Sequence, residues 1–143
     1  MIKKLLFTAL CIAQCSLFTA HTIHENPVSK ENYKQEKVPK SVIIKTKKFK
    51  LKIDKQPNGK YLYQSWAATG KVTSKPSMII SDGELIPDGT GGNYYYEFNN
   101  NGYTYQVWRN YLTDSPKKAP YTLVVTDQNG KTIVNQDGQI VKN

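Results

Sequence analysis

The chain has 143 residues, a formal net charge of +9 and a mean hydropathy of −0.57. That length holds one domain, and so polar a chain is not a bundle of membrane-spanning helices. The charge is carried by lysine, since Arg109 is the only arginine.

The first residues set the compartment. Lys3 and Lys4 precede a short apolar run, residues 5–13, and then the small residues of "QCSLFTA". This is the layout of a secretory signal peptide over residues 1–20. The apolar run is shorter than the ~20 residues a spanning helix needs. Cleavage after Cys15 and cleavage after Ala20 both fit the pattern. Either one removes Cys11 and Cys15, the only cysteines, so the exported body has no disulfide, thiol nucleophile or thiolate metal site. Lipid anchoring on Cys15 is disfavoured because Gln14 before it is not small. The expected destination is the periplasm or the extracellular space.

Residues 21–40 ("HTIHENPVSKENYKQEKVPK") are polar, show no period and contain Pro27 and Pro39. They read as a flexible or extended arm ahead of the body, residues 41–143. His21 and His24 lie in this arm, and two histidines on a mobile arm make a poor metal site.

From Ser41 onward, short alternating apolar runs are separated by turn dipeptides. Six Asn-Gly or Asp-Gly pairs occur: at 58–59, 82–83, 88–89, 101–102, 129–130 and 137–138. Such pairs tolerate positive φ and favour tight hairpins. No long stretch shows a helical period. The sequence predicts an all-β body, a single antiparallel β-sandwich or small β-barrel of seven to eight strands. In "KKFKLKID", Phe49, Leu51 and Ile53 form an apolar face, and Lys48, Lys50 and Lys52 a cationic one that also protects a sheet edge. "SVIIKT" is out of step with it, so a bend or a separate strand falls near Lys45. "QPNG" turns the chain into "KYLYQSW". "SMIISDGELI" reads as a hairpin closed at Asp82-Gly83. "YTLVVT" and "KTIVNQ" pair across "DQNG". Val124 and Ile133 make that hairpin apolar on both faces, which predicts a central position.

Eight of the 16 aromatic residues fall within residues 94–111, "YYYEFNNNGYTYQVWRNY". A turn at residues 99–102 sets Phe98 opposite Tyr103, Tyr96 opposite Tyr105 and Tyr94 opposite Val107. That face is core, with the tyrosine hydroxyls near its rim. The other face carries Tyr95, Glu97, Thr104, Gln106 and Trp108. Rings beside amide and carboxylate groups there suit a protein loop or a sugar. Trp66 is a second anchor, or core by its parity with Leu62.

"DGTGGN" lacks the spacing of a phosphate loop, and Asp82, Glu84 and Asp88 lack that of a calcium loop. Asp88 and Asn93 are candidates to cap the loop. The body has no histidine and no G-x-S-x-G. Glu97 with Glu84, Asp82 or Asp88 is the one conceivable acid–base pair. No catalytic residue, metal or cofactor is expected.

Residues 30–60 hold eleven lysines against Glu31, Glu36 and Asp54, whereas the rest of the body is balanced. That half suits an acidic partner, although phosphate and carboxylate recognition usually recruits arginine. No nucleic-acid partner is expected.

Trp66, "DGTGGNYYYEF" and "GYTY" resemble small signal-peptide-bearing secreted proteins of Gram-negative bacteria, over residues 61–134. The resemblance implies export and a single domain, and attaches no activity or ligand. The expected function is a non-catalytic binding protein, inhibitor- or adaptor-like, for a protein or envelope partner. Lys48, Lys50 and Lys52 would steer it, and Tyr95, Glu97, Gln106 and Trp108 would make contact. A glycan-binding module on the same rings and a small carboxylate hydrolase are the alternatives.

Overall fold

The computed structural model describes residues 37–142. The expected signal peptide, His21, His24 and most of the expected arm lie outside the described residues. Eight strands follow in order: β1 (Ser41–Thr46), β2 (Phe49–Lys55), β3 (Tyr61–Ala67), β4 (Met78–Asp88), β5 (Asn93–Asn100), β6 (Tyr103–Arg109), β7 (Tyr121–Thr126) and β8 (Thr132–Ile140). Each pairs antiparallel with the next, and β8 returns to β1, so the sheet closes into a barrel rather than dividing into a sandwich. Packing on the core begins at Val38, and Lys55 N donates to Lys40 O at 2.8 Å, so the body starts before Ser41. No helix of the described residues is long and apolar enough to cross a membrane.

Period-two alternation decides what faces inward. Leu51, Ile53, Tyr61, Tyr63, Tyr96, Phe98, Val107 and Leu123 point into the barrel and are buried. An eight-stranded barrel is just wide enough for side chains to fill. Here rings fill it: Tyr61 meets Tyr96 edge-on at 4.9 Å, and Tyr63 meets Phe98 at 5.4 Å and Tyr105 at 5.6 Å. The outer positions include Lys50, Gln64, Glu84, Glu97 and Gln106, so polarity runs opposite to that of a lipid-spanning barrel.

The aromatic hairpin pairs two residues away from the expected register. Asn101 (φ 51°) and Gly102 (φ 80°) form a two-residue turn, which sets Phe98 opposite Tyr105, Tyr96 opposite Val107 and Tyr94 opposite Arg109. Positive φ at both central residues is the type I′ geometry that matches strand twist, so the tighter turn wins. A shift of two keeps every side chain on its predicted face. Tyr94 and Tyr96 lie in the core, not at its rim, because Tyr96 packs against the Tyr61 ring of β3 and Tyr94 packs edge-on against Tyr96 at 5.5 Å.

Two Asp-Gly pairs are not turns. β4 runs unbroken through Asp82-Gly83, so the expected hairpin is one strand. Asp82 adopts φ 59° and the register with β3 jumps between Tyr61 and Tyr63, which is a β-bulge. The bulge seats Gly83 beneath Phe98, where a Cβ would lie 2.1 Å from the ring. Asp137-Gly138 is likewise inside β8, and a Cβ on Gly138 would come within 2.5 Å of Ile44. The β7–β8 hairpin is not central, since a closed barrel has no centre strand. Ile133 is on the outer face and 52 % exposed. Trp66 is also on the outer side yet only 4 % exposed, because the β3–β4 loop folds over it and Ser74 O accepts from its Nε1 at 3.0 Å.

Replacing Gly83 with alanine forces the Phe98 ring to move in a filled interior. It is expected to lower stability in urea by about 2 kcal/mol, and Phe98→Leu in that background should recover part of the loss. No recovery would mean that the ring is not what Gly83 accommodates.

Burial pushes the Tyr63 phenol well above its ordinary value of 10.0, and burial also raises Tyr61 and Tyr105. These phenols stay neutral in the folded barrel while the unfolded chain ionises from about pH 10. Their contribution is therefore fully present below pH 10 and is lost as pH rises beyond it. Phenolate absorbance above pH 10 is expected to rise in step with loss of the β circular-dichroism signal. Full ionisation with the barrel intact would contradict it.

Candidate functional site: the outer face of the aromatic hairpin

Pairing of β5 with β6 puts Tyr95 opposite Trp108, Glu97 opposite Gln106 and Asn99 opposite Thr104, all facing away from the interior. The Tyr95 and Trp108 rings stack with centroids 4.2 Å apart and planes 25° apart. Trp108 Nε1 donates to Gln106 Oε1 at 3.2 Å, and Gln106 Nε2 donates to Glu97 Oε2 at 2.8 Å. The Gln106 amide therefore has its oxygen and nitrogen committed in opposite directions, which fixes its orientation. Thr104 Oγ1 donates to Asn99 Oδ1 at 3.1 Å and extends the row. Tyr95, Glu97, Gln106 and Trp108 are all half-buried, so the group is ordered by its own contacts but still reachable.

Flanking strands widen the face. Ile86 and Glu84 of β4 lie opposite Tyr95 and Glu97. Thr122 and Val124 of β7 lie opposite Trp108 and Gln106. Of the conceivable carboxylate partners for Glu97, Glu84 is thus the one placed beside it. Glu84 is ion-paired to Lys60, whose hydrogen bond and charge hold its carboxyl below the usual range.

The three lysines are elsewhere. Lys50 and Lys52 stand on β2, four strands from β6 in a ring of eight, so they occupy the opposite wall of the barrel. One compact footprint cannot hold both sets. Lys50 Nζ donates to Gly70 O at 2.6 Å and helps pin the loop over Trp66. Lys52 pairs with Asp54 at 3.0 Å. Lys48 is exposed in the β1–β2 turn beside Lys47.

One further cluster was not legible in the sequence. Gly91 and Gly92 of the "DGTGGN" loop pack under Leu112 and Tyr111 of the β6–β7 loop. Asn93 joins the two loops: its Oδ1 accepts from Tyr111 N at 2.9 Å and Leu112 N at 2.7 Å, and its Nδ2 donates to Leu112 O at 2.8 Å. So Asn93 caps the neighbouring loop rather than its own. Tyr111 and Leu112 remain 44 % and 59 % exposed. Arg109 lies over the Tyr111 and Tyr121 rings, 5.7 Å and 5.2 Å from their centroids, and donates to Asn110 O and Pro120 O. Beside it a cavity of about 510 Å³ opens where β1 runs past the end of β8, lined by Val42, Lys52, Tyr121 and Ile140 among others. In the sequence Asn93 stood out only as a cap of its own loop, and nothing joined it to Arg109, Tyr111 and Leu112.

No family model, curated protein or solved structure matches this chain.

If the two stacked rings support each other, Tyr95→Ala and Trp108→Ala should each cost about 1 kcal/mol in urea unfolding. The double variant should cost less than the sum, since both singles remove one shared contact. Strict additivity would mean that the rings do not interact in solution.

Proposed function

We propose that this chain is an exported, non-catalytic binding protein, inhibitor- or adaptor-like, that contacts a protein partner of the cell envelope or its surroundings. The contact surface is the outer face of β5–β6. The observation that carries this reading is the stacked Tyr95–Trp108 pair, held by the chain through Gln106 to Glu97. A partner docking there would freeze few side chains that are not already ordered, which lowers the entropic cost of association. Aromatic residues of this kind are the usual anchors of protein interfaces. The interior is filled by rings, which favours an outer surface over the barrel lumen as the place of binding.

The glycan reading is weaker because sugar stacking uses an open ring face, and Tyr95 and Trp108 each cover a face of the other. The hydrolase reading is weaker because a general acid must hold its proton near neutral pH. Glu84 is held deprotonated by Lys60 and stands largely exposed beside Glu97.

The test is affinity capture from envelope and culture fractions with the exported chain, alongside Trp108→Ala and a Lys50→Glu/Lys52→Glu variant. A protein retained through high salt by the parent and the lysine variant, but lost with Trp108→Ala, is the expected result. A protein released by salt and lost in the lysine variant would move the site to the β1–β2 wall. Retention of a glycan in place of a protein would favour the lectin-like alternative.

A further inference from the structure

The barrel is closed unevenly. The β1–β8 seam has the fewest residue pairs of the eight, since β1 meets β8 only through Ile44 opposite Ile140, Lys45 opposite Gln139 and Thr46 opposite Gly138, with one more bond from Val141 N to Ile43 O at 2.9 Å. β8 begins at Thr132, so its first residues continue beyond the point where β1 turns away. At that point the Gln136 side chain takes over. Its Oε1 accepts from Thr46 Oγ1 at 2.9 Å and from Lys48 N at 3.0 Å, which ends the ladder.

Strand alternation then fixes which backbone groups are left facing outward from the seam. Val141 N points toward β1, so Gln139, Asp137 and Asn135 present their N–H and C=O groups on the same edge. Gln139 meets Lys45, but Asn135 and Asp137 have no strand opposite them among the described residues. On the other edge, β8 pairs with β7 from Thr132 to Gly138, with a β-bulge at Ile133. Thr132, Ile133, Asn135 and Asp137 are all exposed. A single ordered strand with one free edge is the template that peptide-binding domains use for β-strand addition.

The charge around this edge selects its occupant. Lys47 and Lys48 in the β1–β2 turn, Lys45 on β1 and Lys131 before β8 are all exposed. Of the acidic groups there, Asp137 is engaged by Lys118 at 3.5 Å and by Thr122 Oγ1, and the Asp127 carboxylate accepts from Lys131 N and Asn129 N at 2.9 Å. Lysines beside an edge repel stray basic or apolar strands, and they favour a strand that carries carboxylates.

We infer that the free edge of β8, residues 132–137, is a docking site for an extended acidic peptide segment of a partner protein, added to the barrel as a further strand. This surface is separate from the aromatic face of β5–β6 and stands whether or not that face binds.

The probe is a fluorescein-labelled peptide of alternating glutamate and valine, titrated against the full exported chain and read by anisotropy. Two control peptides accompany it: one with lysine in place of glutamate, and one N-methylated at alternate residues so that charge is kept but strand pairing is blocked. Asn135→Pro removes an N–H from the free edge only, leaving the β7 ladder intact. The expected result is saturable binding of the acidic peptide and none of either control. Asn135→Pro should weaken binding about tenfold, and so should the exposed-turn variant Lys47→Glu/Lys48→Glu. Circular dichroism establishes that both variants are folded. Binding of the N-methylated peptide as tight as that of its parent would overturn the proposal in favour of plain charge attraction. No saturable binding of the acidic peptide would also overturn it. So would a sedimentation mass of two chains that Asn135→Pro reduces to one, since the edge would then be filled by a second copy.

Discussion

The rings of Phe98, Tyr63, Tyr61 and Tyr96 share one small enclosed volume, and the rest of the barrel is arranged to admit them. An eight-stranded barrel has little spare width, so wherever a ring leans on a facing strand that strand has to give up its own side chain. Gly83 does so beneath Phe98, and Gly138 does the same beneath Ile44. The bulge at Asp82 belongs to the same solution. It inserts one residue into β4, bends it, and brings glycine rather than a bulkier neighbour under the ring. Tyrosines in place of aliphatic residues then make the core sensitive to alkali, because their phenols are held neutral by burial.

A filled interior separates this barrel from those that enclose a ligand between their strands. Chemistry is pushed to the walls and the mouth, and the walls differ. The β1–β2 side is cationic, although Lys50 and Lys52 are drawn into structural contacts with Gly70 and Asp54. The β5–β6 side is aromatic and carries the one carboxylate of Glu97. Because strands follow one another round the ring in sequence order, the lysine-rich first third and the aromatic middle of the chain end up diametrically apart. A charge asymmetry visible along the sequence thus becomes a two-sided molecule rather than one steered contact patch.

Much of the fold was legible because its signals are local. Alternation in "FKLKID" and "YYYEF" named the inward and outward faces, and those faces survived even where the pairing moved by two residues. The turn dipeptides at 58–59, 101–102 and 129–130 marked real turns, each with positive φ at its glycine. The same dipeptide at 82–83 and 137–138 meant something else. There the glycine answers to the Phe98 ring on β5 or to Ile44 on β1, side chains of neighbouring strands, and the dipeptide itself does not encode that approach. Barrel or sandwich was undecided for a similar reason, since closure depends on three residue pairs between the first and last strands. Within the site, the Tyr95–Trp108 and Glu97–Gln106 groupings followed from parity alone. The union of Asn93 with Tyr111 and Leu112 did not, because it joins two loops through side-chain amide bonds.

Size places a further demand on the aromatic face. Two strands side by side and five or six residues long present a wall of roughly 10 Å by 20 Å. A stable protein interface covers about 800 Å² on each partner, several times that footprint. A partner held by Tyr95 and Trp108 must therefore reach beyond β5–β6. Besides the flanking strands β4 and β7, it can do so along β6, where the strand ends at Arg109 and the chain continues into the exposed pair Tyr111 and Leu112. That pair is held in place by Asn93 at the foot of β5, the same strand that carries Tyr95. One hairpin thus orders two apolar contact groups, the stacked rings on its wall and the loop pair at its end. The Asn93 amide couples them, so loosening it would disturb the wider contact while leaving the rings themselves in place.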